Sequence, residues 1–291
     1  MELYRLESNE PLLAPVLIQA LSGWVDAGSA GTLAAGHLAR DGELVATFDS
    51  DALFDYRSNR PVLDISGAAM RELTWPEVTV RRTRLGDRDA LVLGGSEPDL
   101  AWKEYASSVL DLGLRLGVTE LISMGAVPAA TPHTRPTPVV ATASKRELLD
   151  PNEPVLEGAL RVPSAAVSVV DFRFSDAGIP TVGFWAQVPH YVAAVYHAGA
   201  AALVRRVARH LHVDVPVDDL EREAETQRRQ LDEIVAARPE AQAFVDQLEQ
   251  MAAEQEVPSG DELAAEFERY LRDQPGGGGN PFEEGGSSAP G

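Results

Sequence analysis

Residues 16–37, VLIQALSGWVDAGSAGTLAAGH, constrain the fold more than any other stretch of this chain. An apolar run broken only by Gln19 gives way to a glycine-punctuated turn and then to an alanine-rich segment, a pattern that reads as strand, loop, helix. Val16, Leu17, Ile18, Ala20 and Leu21 suit a strand covered on both faces, as in a parallel sheet. Asp26 stands where its carboxylate can accept the free N–H groups of a helix starting near Ala27. Gly28 and Gly31 lack a Cβ, so the helix can approach the sheet closely, or a ligand can approach the helix N-terminus.

Neither glycine fingerprint for nucleotides is complete here. Ser29 occupies the position where G-x-x-x-x-G-K-[ST] requires its phosphate-binding lysine. Asp26 occupies the first glycine of G-x-G-x-x-G, where its charge would face a pyrophosphate, although Asp49 follows roughly where a ribose-binding acid sits. No cofactor is expected on these residues. H-x-x-x-H, H-E-x-x-H and G-x-S-x-G are all missing from the sequence, and it contains no cysteine, so neither a metal site nor a familiar nucleophile is predicted.

The strand-loop-helix unit repeats along the chain. Residues 43–48 alternate into a second strand, and 49–60 form a polar loop carrying Phe54 and Tyr56. Residues 77–84 and 90–93 flank a turn at 86–89 and predict a hairpin, closed by the glycines at 94 and 95. Residues 99–116 place Trp102, Tyr105 or Ala106, Val109, Leu112 and Leu116 on one helical face that stops at Gly117. Residues 120–124 read as a buried strand followed by a loop, 125–136, with prolines at 128, 132 and 136. A helix over 164–176, a strand over 181–188 and a long, mostly buried helix over 192–212 complete an α/β layered body.

Beyond residues 213–217 the character changes. Two apolar stripes, broken at Arg238-Pro239, predict an antiparallel helical hairpin, and a third helix is expected over 261–271. The stretch 274–291 is glycine-rich and predicted to be disordered. The organisation expected is therefore an α/β domain over 1–213, an acidic helical region over 218–273, and a tail. Of the net charge of −20, residues 218–273 supply −11, from 17 Asp or Glu and 6 Arg. Such an acidic surface repels nucleic acid and anionic membrane alike, so neither is expected as a partner. The first residues lack the basic and continuous apolar regions of a signal peptide, and no run is long enough to span a membrane, which predicts a cytoplasmic protein.

Four segments in order, GWVDAGSAG at 23–31, GGSEPDLAW at 94–102, MGAVPAATPHTRP at 124–136 and WAQVPHYV at 185–192, resemble the actinobacterial branch of the PAC2 family, relatives of proteasome assembly chaperones. The resemblance implies a layered α/β/α sandwich with a mostly parallel sheet, like that of nucleoside phosphorylases and hydrolases. It also implies self-association and, from archaeal and eukaryotic relatives, a part in assembling proteasome rings. The chain closes on Ala289-Pro290-Gly291 and not on the hydrophobic residue, tyrosine and any residue that proteasome-docking tails carry, so docking through the tail is not expected. No catalytic residue is implied.

Asp26, Gly28, Glu97, His133, Arg135 and His190 all fall in loops after predicted strands or before predicted helices, so one edge of the sheet can gather them. A carboxylate beside a histidine suits acid-base chemistry, and Arg135 suits a phosphate or carboxylate. Two readings follow: an oligomeric, protein-binding assembly factor linked to the proteasome, or an enzyme or small-molecule binder using a cleft around Asp26, Glu97 and His133. The proline-rich loop carrying His133 and Arg135 is the contact surface expected in either case.

Overall fold

The computed structural model describes residues 3–8, 10–155 and 158–254. In chain order the strands are β1 (Tyr4–Leu6), β2 (Val16–Ser22), β3 (Glu43–Phe48), β4 (Val62–Ser66), β5 (Ala69–Thr74), β6 (Val78–Leu85), β7 (Arg88–Ser96), β8 (Glu120–Ala129), β9 (Val139–Ala143) and β10 (Thr181–Pro189). The helices are α1 (Ala30–Leu38), the single turn α2 (Ser50–Leu53), α3 (Trp102–Arg115), α4 (Ala166–Asp176), α5 (His197–Leu211), α6 (Asp218–Ala236) and α7 (Pro239–Glu254). Eight strands form one sheet in the order β1-β3-β6-β7-β2-β8-β10-β9. Its centre, β7-β2-β8-β10, is parallel; β6, β3 and β1 continue it antiparallel on one side and β9 on the other. This is the mixed α/β architecture that the alternation of strands and helices predicts.

β2 explains the layering. Val16, Ile18 and Ala20 point into an apolar layer shared with α1 and α5, while Leu17 and Leu21 point into a second layer with α3 and α4. Period-two alternation thus serves both faces of the sheet, which is why the run reads as continuously apolar. The alanines of α1 are spent inside the chain: Ala30, Ala34 and Ala35 are buried in the α5 layer, and Gly199 lets α5 approach so closely that a Cβ there would lie 3.0 Å from the Ala30 Cβ.

Several boundaries differ from those the sequence predicts, each for a physical reason. α1 starts at Ala30, after a 3₁₀ turn over Ala27–Ser29, and not at Ala27. β7 continues to Ser96 through both glycines; Gly95 has φ +135°, and a Cβ there would meet the Glu77 carbonyl oxygen at 1.9 Å. β8 runs through Pro128 to Ala129. The Ala126 N–H points to the β2 side, bonding the Val25 carbonyl, so two residues on Pro128 faces the same side, where β2 has already ended, and its missing N–H breaks no ladder bond. The long helix predicted from 192 begins only at His197, because the Tyr196 N–H is drawn away to the Gly28 carbonyl at 2.7 Å.

The sequence pattern gives no sign of the separate hairpin β4-β5, whose residues are all exposed. The break expected at Arg238-Pro239 falls one residue earlier, at 237–238, with Pro239 opening α7, and α6 packs along α5. Leu220, Val235, Val245 and Leu248 are buried in the same layer as α1 and α5. The helix expected over 261–271 and the tail over 274–291 lie outside the described residues. No helix among the described residues is long and apolar enough to cross a membrane.

Candidate functional site

The topology brings the candidate residues to the carboxyl edge of the four parallel strands. Glu97 follows β7, Asp26 follows β2, His133 and Arg135 follow β8, and His190 follows β10. Their side-chain contacts, however, fall into two groups.

Asp26 and Glu97 both hold helix N-termini. Asp26 Oδ1 accepts from the Gly31 N–H at 2.7 Å and the Thr32 N–H at 3.2 Å, and Oδ2 accepts from the Thr32 hydroxyl at 2.5 Å. Burial pushes the Asp26 carboxyl above its usual range, and the bonds from Thr32 and Gly31 pull it back. Glu97 reaches two backbone donors: Oε1 accepts from Ala166 N–H, the first residue of α4, at 2.7 Å, and Oε2 from Trp24 N–H at 3.1 Å. Free N–H groups at a helix start favour negative charge, so both acids do structural work. Gly28 has φ +57°, and a Cβ there would lie 2.7 Å from the Tyr196 Cβ; this glycine makes room for the start of α5, not for a phosphate.

The second group grips the C-terminal helices. His133 is buried, so the loop does not hold it out to solvent as its prolines suggest. The Tyr191 hydroxyl accepts from the His133 N–H at 2.8 Å and lies 2.6 Å from Nδ1, while Nε2 lies 3.2 Å from Asp232 Oδ1 on α6. Burial lowers the His133 pKa, against the pull of Asp232. Arg135 donates to Glu249 on α7, through Nε to Oε2 at 2.5 Å and through a terminal nitrogen to the backbone carbonyl at 3.1 Å, and the Thr134 hydroxyl donates to the same carboxylate. The Thr134 bond and then Arg135 hold the Glu249 carboxyl below its usual range. His190 bonds the Ala129 carbonyl at 3.1 Å and stacks edge-on against Phe244 of α7, ring centroids 5.5 Å apart.

The loop after β8 and the start of the segment after β10 are thus a latch for α6 and α7. Its polar partners, Tyr191, Asp232 and Glu249, have no local signal in the sequence because they lie 58 to 115 residues from the loop residues they meet. Behind the latch, His133 and Arg135 form part of the wall of a cavity of about 710 Å³ between the loop, α5 and α6. Among the described residues no group of three or more His, Asp or Glu is placed to hold a metal ion.

Residues 20–235 match the model of the PAC2 family. A Mycobacterium tuberculosis protein of unknown function is similar at 37% identity, covering 94% of this chain and 96% of its own, with a TM-score of 0.83. A proteasome-assembly chaperone homologue from M. tuberculosis is 35% identical, covering 79% of this chain and 99% of its own, with a TM-score of 0.72. The archaeal proteasome activator of Pyrococcus furiosus shares the fold at 17% identity and a TM-score of 0.64, covering 80% of this chain and 99% of its own. No curated protein matches the chain.

Proposed function

Because the chain belongs to the PAC2 family, we propose that it is a protein-binding assembly factor that works as a homo-oligomer and acts on proteasome subunits. The observation that carries the protein-binding part is the β4-β5 hairpin. Leu63 pairs with Leu73 and Ile65 with Met70, and a bulge between Asp64 and Ile65 keeps these four side chains on one face. All four are exposed, Met70 to 77%. The other face carries Asp64 directly across from Glu72.

A lone two-stranded hairpin is marginal in water, and a contiguous apolar face marks a contact surface. The occupant we assign is the same face of a second copy. The four apolar side chains face away from the acidic pair, so two chains of net −20 can meet there with Asp64 and Glu72 turned outward, and a self-complementary patch closes a symmetric pair. At the hairpin base Trp75 packs edge-on against Tyr56, ring centroids 4.8 Å apart.

The proteasome part rests on the similarity to the M. tuberculosis chaperone homologue. Mixing the purified chain with separately purified proteasome α and β subunits, followed by native mass spectrometry, tests it. The expected result is a complex of this chain with a subunit and faster appearance of rings. A mixture at tens of micromolar in which the chain never appears bound to a subunit overturns the proteasome assignment.

A further inference from the structure

In a chain of net charge −20, the cavity between α5, α6 and the loop after β8 is lined by five arginines, at 135, 205, 206, 209 and 228, and by three glutamates, at 153, 221 and 225. One of the arginines is committed. Arg206 is buried, donates through both ends of its guanidinium to Glu153, with Nε at 2.7 Å, and lies 4.5 Å over the Phe184 ring. The other four are differently placed. Arg209 is exposed and makes no ion pair with any described residue. Arg205 pairs with Glu221 and Arg135 with Glu249 at the open rim, and Arg228 reaches Glu225 and Asp232 only at 3.9 and 3.8 Å. Arg135 stays in the latch, but the pairs of Arg205 and Arg228 are exposed and weak, so an incoming carboxylate can take the place of the resident one.

The antiparallel packing of α5 and α6 puts these cations in file. Gln227 bonds the His197 N–H, so residue 227 sits beside the start of α5, while Glu221 sits beside Arg205 farther along. Arg228, Arg205 and Arg209 therefore follow one another along the groove. Ala198, Ala201 and Ala202 occupy the same face of α5 and leave its first part hollow. From residue 198 to 209 the helix rises about 16 Å, the reach of about five extended residues.

We propose that this groove binds a short acidic peptide segment, its carboxylates meeting Arg228, Arg205 and Arg209 in series and its backbone running over the alanine floor. A compact anion such as a phosphate would meet one or two of these guanidinium groups, whereas cations spread along a groove fit anionic groups spread along a chain. The inference is independent of the proteasome assignment, since it concerns the purified chain and a synthetic peptide alone.

Fluorescence anisotropy with a fluorescein-labelled pentaglutamate tests it. The intact chain should bind saturably at 50 mM salt and more weakly at 500 mM. Arg205→Ala with Arg209→Ala should weaken binding at least tenfold, and Glu221→Ala, which releases Arg205 from its resident partner, should tighten it about threefold. Circular dichroism reports whether the double variant folds; if it does not, the Glu221→Ala arm decides, and unchanged or weaker binding there overturns the proposal. The proposal also fails if the intact chain does not bind, if Arg71→Ala on the distant hairpin costs as much as the double variant, or if tripolyphosphate displaces the probe at lower concentration than unlabelled pentaglutamate, which would mark a site for small polyanions.

Discussion

Gln19, Ser123 and Asp171 form a polar cluster on the α4 side of the sheet. Gln19 Nε2 donates to Ser123 Oγ at 2.8 Å and to Asp171 Oδ1 at 2.9 Å, and the Ser123 hydroxyl donates to the same carboxylate. Burial pushes the Asp171 carboxyl up to about 7, against both of those bonds. The folded pKa lies above the unfolded one, so the stability Asp171 contributes is complete below about pH 4 and is lost as pH rises through about 7. Between pH 5 and 8 the loss is on the order of 2 kcal/mol. Thermal melts across that range should show the intact chain losing stability and Asp171→Asn losing clearly less; parallel curves for the two would mean that the carboxylate is ionised throughout. Part of this cluster is legible in the sequence, where Gln19 stands out as the one polar residue in an apolar run. Its partner is not, because Asp171 lies 152 residues away and no local pattern connects them.

At the scale of elements, the packing of α1 and α5 depends on small residues at the crossing. Gly28 takes a left-handed conformation and passes the Tyr196 Cβ where any side chain would collide. Gly28→Ala should therefore cost roughly 2 kcal/mol through combined strain and overpacking, measured by urea denaturation. A change below about half a kcal/mol would show that the start of α5 moves aside freely. Strands such as β2 and β8 announce themselves because burial on both faces demands continuous apolar side chains. The full length of β8 does not, since Pro128 reads as a breaker unless the edge it faces is known to be empty. β4 and β5 are hidden for the opposite reason: Leu63, Ile65, Met70 and Leu73 face outward, and no apolar layer of the chain records their alternation. Asp26 could be placed at a helix start from the sequence, whereas Glu97 reads only as a loop acceptor because the helix it holds begins 69 residues away; the separation of both from His133 and Arg135 follows from the latch on α6 and α7, which only the tertiary fold reveals.

For the molecule as a whole, charge and apolar surface are distributed in complementary ways. The acidic excess is concentrated after residue 217, and the latch at His133, Thr134 and Arg135 binds α6 and α7 to the body through Asp232 and Glu249. The exposed apolar face, by contrast, sits on the β4-β5 hairpin, which no described helix covers. The body thus secures its own C-terminal helices while leaving open the face on which the proposed self-association rests. Light scattering on the intact chain and on the variant Ile65→Asp with Met70→Asp, both at about ten micromolar, tests this most directly. The intact chain should scatter as an oligomer and the variant as a monomer, with the same circular dichroism and melting temperature for both. An intact chain that is already monomeric, or a variant that keeps the oligomer mass, would contradict the proposed self-association.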